Sequence, residues 1–472
     1  MIILKKLKDL YKCTFDIDVY GVKTNSKEVK KGDMFVCING VNKDRHEFID
    51  DAIKNGASCL VVRNEGNYKI PFIKVDNPNK ALGVISKKFY DDPLSKLKLI
   101  GVTGTDGKTT TASIIRNMLG NKNCGYIGTN GIYIKDKILD ENNTTPEINK
   151  IYKYLNQFVN AKMQYASMEV SSEALLYDRV NTLKFDVAIL TNITEDHLNV
   201  HKTIDNYIKC KRKLFSNLKK DGVAILNSDD KYFEKIKKNI KNKILTYGKR
   251  KKSTLQIVKI NEYQTGTIFK FKYMKKTYQV MMPLRGEYNV YNVCASILSL
   301  IALGYYIDEA INRVTLIEKV NGRGETINFG QSYEIVLDYA HTSNALYNIL
   351  SFLNKNKKGR IITVTGSAGG REKEKRGKMG KTVLEMSDLV IFTMDDPRYE
   401  SVDSITDDLI SLSNLTNYLR INDRKEAIFK ALSIARCNDI VLIAGKGRDN
   451  YMAIEDKKID YNDYDVIKSF FI

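Results

Sequence analysis

The stretch LKLIGVTGTDGKTTTASIIRNMLG, Leu97 to Gly120, decides the fold of this chain. Leu97, Leu99, Ile100 and Val102 form an apolar run of strand length, bounded by a glycine-rich turn. Helical spacing then runs from about Thr109 to Leu119. A buried strand, a glycine turn and a helix make a phosphate cradle, in which backbone N–H groups of the loop and helix start face an anion. Gly104, Thr105, Asp106, Gly107, Lys108, Thr109 and Thr110 make up that loop. Lys108 supplies a point charge for phosphates and Thr109 a hydroxyl for Mg²⁺. The general P-loop spacing asks for glycine five residues before Gly107, where this chain has Val102.

Outward from the loop, strand patterns at Gln164–Val170, Phe185–Thr191 and Gly222–Asn227 alternate with helical ones, which predicts a largely parallel sheet with helices on its faces. Beyond Gly322, strand patterns at Glu334–Asp338, Arg360–Thr365, Leu389–Met394 and Asp439–Ala444 are separated by helical patterns at 343–355, 376–386, 402–412 and 424–436. That reads as a Rossmann-like unit. Before residue 96, GDMFVCING and SCLVVR read as strands, with a helix near Phe48–Asn55 between them and a short amphipathic helix carried by Ile2, Leu4, Leu7, Leu10 and Tyr11. The expected class is α/β with three domains: 1–95, a central P-loop domain with a parallel or mixed sheet over 96–321, and 322–472.

A length of 472 residues exceeds one core, and 43% hydrophobic with 28% charged residues is an ordinary globular composition. No run is long and apolar enough to span a bilayer, and the first residues lack a signal-peptide pattern. Cys13, Cys37, Cys59, Cys124, Cys210, Cys294 and Cys437 form no metal-ligand spacing, which reads as reduced thiols in a cytoplasmic protein. The net charge of +20 is spread among interleaved acids, so neither nucleic acid nor membrane is expected as a partner. The densest basic patch, Lys235 to Lys252, reads as solvated helix and loop.

A phosphate cradle serves motors, switches, kinases and ligases alike. Glu169 ends one strand and His197 follows another, with His201 close by, and a carboxylate with an imidazole beside a triphosphate suits a divalent cation. Glu169 alone is equally a helix-cap residue, and His197 alone a satisfied polar side chain.

GVTGTDGKTTTA, MEVSSEAL, TNITEDHLNVH, YIKCKRKLF, GEYNVYN at 286–292, NGRGE at 321–325, DYAHTSNAL at 338–346 and AGKGRDNY at 444–451 together resemble the signatures of the Mur ligases. These are ATP-dependent amide ligases that build the peptide stem of bacterial cell-wall precursors. The resemblance extends to NSKEVKKGDMFVCINGVNKDRHEFI near the start. NNTTPE at 142–147 and MEVSSEALLYDRV at 168–180 are similar to the subgroup that adds the third residue of the stem. It implies that Ser26, Asn143, Thr144, Thr145, Ser171 and Arg179 hold a UDP-N-acetylmuramoyl dipeptide. It further implies that Asn289 and Asn292 lie near adenine, Arg323 and Asp338 near the phosphates and ribose of ATP, and His341 close to ATP. Lys211 matches the family's carbamoylated lysine, which with Thr109, Glu169 and His197 would bind Mg²⁺. Lys108, Glu169, His197 and Lys211 are the expected catalytic group, in a monomer.

The incoming free diamino acid is expected at Arg371, Asp395, Asp396, Pro397, Arg398, Gly445 and Asp449. Members adding meso-diaminopimelate carry Asp-Asn-Pro-Arg, whose arginine binds the far carboxylate in a bidentate pair. Here the motif reads Asp395-Asp396-Pro397-Arg398, and Arg448-Asp449 stand where His-Glu is usual. The retained arginine favours meso-diaminopimelate, with L-lysine and lanthionine as alternatives. A D-alanyl-dipeptide-adding ligase, a folylpolyglutamate synthetase, a P-loop NTPase of motor or switch type and a nucleic-acid-binding protein are the competing readings.

Overall fold

The computed structural model describes residues 3–39, 44–141 and 143–472. Ile2, residues 40–43 of the early motif and Asn142 of NNTTPE therefore lie outside the described residues.

Among the described residues three large sheets follow one another along the chain. The first has four parallel strands in chain order, Gly21–Lys23, Asp33–Val36, Cys59–Val62 and Phe72–Lys74. The helix Pro78–Phe89 packs against Ile148–Asn160 of the next unit, so one apolar core is continuous from Leu7 to Ile236.

The second sheet has eleven strands. Its centre is parallel, in the order Cys124–Gly128, Tyr165–Glu169, Lys98–Thr103, Phe185–Leu190, Leu218–Asn227, Lys243–Gly248. Lys98–Thr103 lies in the middle, as its unbroken apolar run requires: Leu99, Ile100 and Val102 are fully buried. Glu169 pairs with Val102 and Leu190 with Thr103, so these three strands end level. Loops leaving their carboxyl ends must therefore meet at one edge.

The third sheet runs Glu325–Ile327, Glu334–Asp338, Ile440–Ala444, Ile361–Thr365, Leu389–Phe392, Tyr418–Arg420, parallel except for its first strand. Helices Ser343–Asn356, Glu374–Met386, Val402–Ile410 and Arg424–Ile434 lie where the periodicity predicts them.

Two local expectations need correction. The first helix covers only Leu7–Leu10: Leu7 and Leu10 are buried, Leu4 is 50% exposed, and Lys5–Lys6 pairs instead with Asp18–Val19. The basic stretch 235–252 contains the strand Lys243–Gly248, because its alternate residues Leu245 and Tyr247 face the core. The central sheet is mixed, as expected: antiparallel strands Leu255–Tyr263, Gly266–Tyr273 and Lys276–Met282 extend one end, and Gly131–Ile134 with Lys137–Leu139 extend the other. Phe269, Phe271 and Tyr273 point inward while Lys270 and Lys272 face out, a period-two pattern present in the sequence.

Five of the seven cysteines are buried, and all are free thiols. Among the described residues no helix is long and apolar enough to cross a membrane.

Candidate active site

The level strand ends and the third sheet enclose a cavity of about 1280 Å³. The phosphate loop forms its floor. Gly107 caps the helix Lys108–Leu119 with φ +81°, a left-handed conformation, and a Cβ there would lie 2.7 Å from Asn292 Oδ1. Glycine is thus required twice at this position, by backbone and by space. Lys108 Nζ donates to the carbonyls of Gly104 at 3.0 Å and Thr105 at 2.7 Å, curling over its own loop. Burial lowers its pKa, opposed by Glu169 and Asp106.

Glu169 is fully buried and fully engaged. It accepts from Tyr126 Oη at 2.5 Å, Thr129 N at 2.8 Å and Thr109 Oγ1 at 2.8 Å. Arg323 Nη2 also donates to Thr109 Oγ1, at 3.0 Å, and its guanidinium lies 4.2 Å from the centre of the Tyr339 ring. Lys211 projects from the helix Ile204–Ser216, donates to Gly104 O at 2.7 Å and lies 4.5 Å over the Tyr207 ring. Burial, reinforced by Lys108, drives its pKa well below the usual lysine value. His197 adopts φ +57°, and burial lowers its pKa to about 3, leaving a neutral imidazole. His201 instead turns into the core against Tyr207, its ring 5.0 Å from the tyrosine ring, and is not on the cavity wall.

Residues far apart in sequence converge here. Thr342 Oγ1 and Asn344 Nδ2, from the start of the helix Ser343–Asn356, donate to Asp106 at 3.2 and 2.9 Å. Lys375 Nζ donates to Asp196 at 3.2 Å, and Asn199 N donates to Glu372 at 2.8 Å. Asp196 Oδ2 lies 3.4 Å from His197 Nε2, and although burial opposes ionisation, the Lys375 ammonium helps hold its carboxyl well below the usual range. Asp338 accepts from the N–H groups of Gly324 and Ala340 at 2.6 and 2.8 Å, while burial raises its pKa. His341 rests its Nδ1 on Tyr339 O at 2.8 Å.

On one side Asn143, Thr144, Thr145, Ser171 and Arg179 line the wall. Thr145 is fixed between Glu169 O and Ser171 N, and Arg179 reaches Thr145 O at 3.2 Å. On the other side lie Arg371, Asp395, Asp396, Arg398, Gly445 and Asp449. Asp396 departs from the expected asparagine, but its charge is met by the buried Lys446 Nζ at 2.8 Å, and its Oδ1 accepts from Ala453 N at 2.8 Å. Burial raises the Asp449 pKa to about 6, offset by Lys446 and reinforced by Asp395 and Asp396.

Four expected residues are not on the wall. Gly104 sits beneath the loop as acceptor for Lys108 and Lys211. Asn289 stands behind Asn292, linked to it at 3.1 Å and to Arg285 O at 2.8 Å. Pro397 is buried between Asp396 and Arg398. Ser26 is buried in a short 3₁₀ turn of the first unit, where its carbonyl accepts from Asn55. Sequence reading missed Asp196, Glu372, Lys375, Tyr126 and Lys446. Asp196 and Lys375 sat within TNITEDHLNVH and GSAGGREKEKRGKMG, yet nothing in either stretch marks them as partners 179 residues apart.

Three profiles match the chain in order: the Mur ligase family catalytic domain over residues 18–90, the Mur ligase middle domain over 102–300 and the Mur ligase glutamate ligase domain over 322–447. A UDP-N-acetylmuramoyl-L-alanyl-D-glutamate–2,6-diaminopimelate ligase of Clostridium tetani is 38% identical, over 99% of this chain and 98% of that protein. The chain belongs to the Mur ligase family. It is accordingly an ATP-dependent, amide-forming ligase. The ligase is also 38% identical to the protein of the same name from Bacillus velezensis, over 96% of this chain and 94% of that one. A solved structure of a ligase of that name superposes on it with a TM-score of 0.68 at 26% identity, covering 99% of both chains.

Proposed function

We propose that the ligase joins meso-diaminopimelate to the D-glutamate carboxylate of UDP-N-acetylmuramoyl-L-Ala-D-Glu, at the expense of ATP, in peptidoglycan precursor synthesis. One observation carries the choice of amino acid: Arg398 and Asp449, of opposite charge, share the wall of the cavity that holds the phosphate loop. A zwitterionic far end, carboxylate toward Arg398 and ammonium toward Asp449, satisfies both; the side chain of lysine ends in an ammonium group alone. The similar proteins named as diaminopimelate ligases support the same choice.

Residues 1–95 take the uridine end of the nucleotide substrate, 96–321 ATP and the muramoyl dipeptide, and 322–472 the amino acid. The ligase acts as a monomer in the cytoplasm.

Among the described residues no three His, Cys, Asp or Glu side chains form a closed metal cage. Glu169 with Thr109 Oγ1 at 2.8 Å nevertheless offers the carboxylate and hydroxyl suited to Mg²⁺, which takes few protein ligands and shares phosphate oxygens. Thr109, Glu169, neutral His197 and a carbamoylated Lys211 would hold it, and bound there it neutralises charge on the transferring phosphoryl group.

A carboxylate is a poor electrophile. Lys108 and the loop N–H groups hold the triphosphate so that its γ-phosphoryl group passes to the D-glutamate carboxylate, giving an acyl phosphate and ADP. Arg323 stabilises the charge that spreads over the phosphoryl oxygens. Arg398 and Asp449 present the diamino acid so that its amine attacks the acyl carbon; the tetrahedral adduct expels phosphate and the amine loses a proton. Asn143, Thr144, Thr145, Ser171 and Arg179 fix the muramoyl peptide during both steps.

Phosphate release with UDP-N-acetylmuramoyl-L-Ala-D-Glu and meso-diaminopimelate, lanthionine or L-lysine in turn tests the reading. Release with meso-diaminopimelate and a matching mass gain on the nucleotide is expected. Arg398→Ala should raise the KM for meso-diaminopimelate by about a hundred-fold while leaving that for lysine unchanged. Equal rates with lysine in the unmodified ligase would overturn the assignment.

A further inference from the structure

Arg448 stands where the family resemblance leads one to expect histidine, and its side chain is committed to Glu325 and the ring of Tyr464. Its Nε and Nη2 donate to the two oxygens of Glu325 at 3.0 and 2.5 Å, a bidentate pair, and its guanidinium lies 3.6 Å from the centre of the Tyr464 ring. Imidazole cannot make that fork. Glu325 Oε2 also accepts the N–H of Gly322 at 2.7 Å. The two backbones touch as well: a Cβ on Gly322 would lie 2.7 Å from Arg448 N.

Between Gly322 and Glu325 is Arg323. Its N–H closes a turn onto Val320 O at 3.1 Å, and its guanidinium reaches Thr109 of the phosphate loop at 3.0 Å. On the other side, Arg448 adjoins Asp449 of the amino-acid wall, and Asn462 Nδ2 bonds the carbonyls of both, at 3.3 Å each. One bidentate pair therefore joins the loop that meets the amino acid to the turn that delivers Arg323.

We propose that Arg448 is a positioning residue, which holds Arg323 at the phosphate loop through Glu325 and thereby couples occupancy of the amino-acid pocket to nucleotide affinity. The coupling half rests on the reading of the third substrate given above; the positioning half does not. Any such coupling is reciprocal, so nucleotide tightens the amino acid by the same factor.

Calorimetric titration of the full-length ligase with ADP and a non-hydrolysable ATP analogue, with and without meso-diaminopimelate, tests both halves. Arg448→Gln and Glu325→Gln should each weaken nucleotide binding by about ten-fold, with Arg448→Lys restoring little, since one ammonium cannot replace a fork. The loss should vanish in an Arg323→Gln background, a non-additivity that a merely structural role would not produce. The diamino acid should tighten nucleotide in the unmodified ligase and not in Arg448→Gln. Wild-type nucleotide affinity in Arg448→Gln, or an undiminished loss beside Arg323→Gln, overturns the proposal. Ligation of the diamino acid without any effect on nucleotide affinity overturns the coupling half. If the unmodified ligase does not use the diamino acid at all, the substrate reading fails, and the nucleotide titrations alone still decide the positioning role.

Discussion

Lys211 Nζ donates to the carbonyl of Gly104 across 2.7 Å, which places a fully buried lysine against the underside of the phosphate loop, beside a half-buried one, Lys108. Two ammonium groups in one buried site repel, and burial favours the neutral amine, the form that adds carbon dioxide to give a carbamate and a proton. We therefore expect a carbamate carbon resonance when the ligase is equilibrated with ¹³C-bicarbonate, and its loss in Lys211→Ala. Lys211→Ala should also lower kcat by about a hundred-fold. A spectrum without that resonance would sink the assignment of Lys211 as a metal ligand.

At Asp106 the third unit grips the phosphate loop through Thr342 and Asn344. A hydrogen bond to a charged group is worth about 1.5–3 kcal/mol. Asn344→Ala should raise the KM for ATP by about ten-fold or more while the thermal midpoint stays put. An unchanged KM would show that the loop keeps its shape without this contact.

Asp449 has a pKa of about 6, above the 3.8 of a free aspartate, so the folded state holds its proton more tightly. Its ionisation thus costs stability, lost as pH rises from 3.8 through about 6. Binding the far ammonium group requires the ionised form. The KM for the diamino acid should fall as pH rises through about 6, and Asp449→Asn should flatten that dependence. Initial rates across the range, at saturating ATP, decide it.

Arg424 and Asp463 form a wholly buried bidentate pair, both bonds 2.8 Å, and Arg424 also donates to Ala444 O at 2.9 Å. Removing one partner strands a buried charge. Asp463→Asn should cost about 3–5 kcal/mol in urea unfolding, and Arg424→Met combined with Asp463→Leu should recover much of it. A loss under 1 kcal/mol, against that order-of-magnitude expectation, would mean that water reaches the pair.

The phosphate loop was legible in the sequence because everything it needs is local: an apolar strand, glycines for a left-handed turn, a lysine and a helix, all within Leu97–Gly120. The third unit's strands and helices were legible for the same reason, since periods of two and 3.6 are properties of consecutive residues. Period two also marks Gly266–Tyr273, a weaker signal than the α/β alternation around it. What chain order alone could not give is which side chains meet. Level registers of Tyr165–Glu169, Lys98–Thr103 and Phe185–Leu190 bring Glu169, the phosphate loop and the His197 loop to one edge. Packing of the third sheet against that edge pairs Asp106 with Asn344, Asp196 with Lys375, and Thr109 with Arg323. The sequence shows an aspartate, Asp396, where the related motif has asparagine, and only the fold places Lys446 against it. Local composition set the elements and the chemistry they carry; long-range packing, which no single stretch encodes, decided how those groups are paired, buried and tuned.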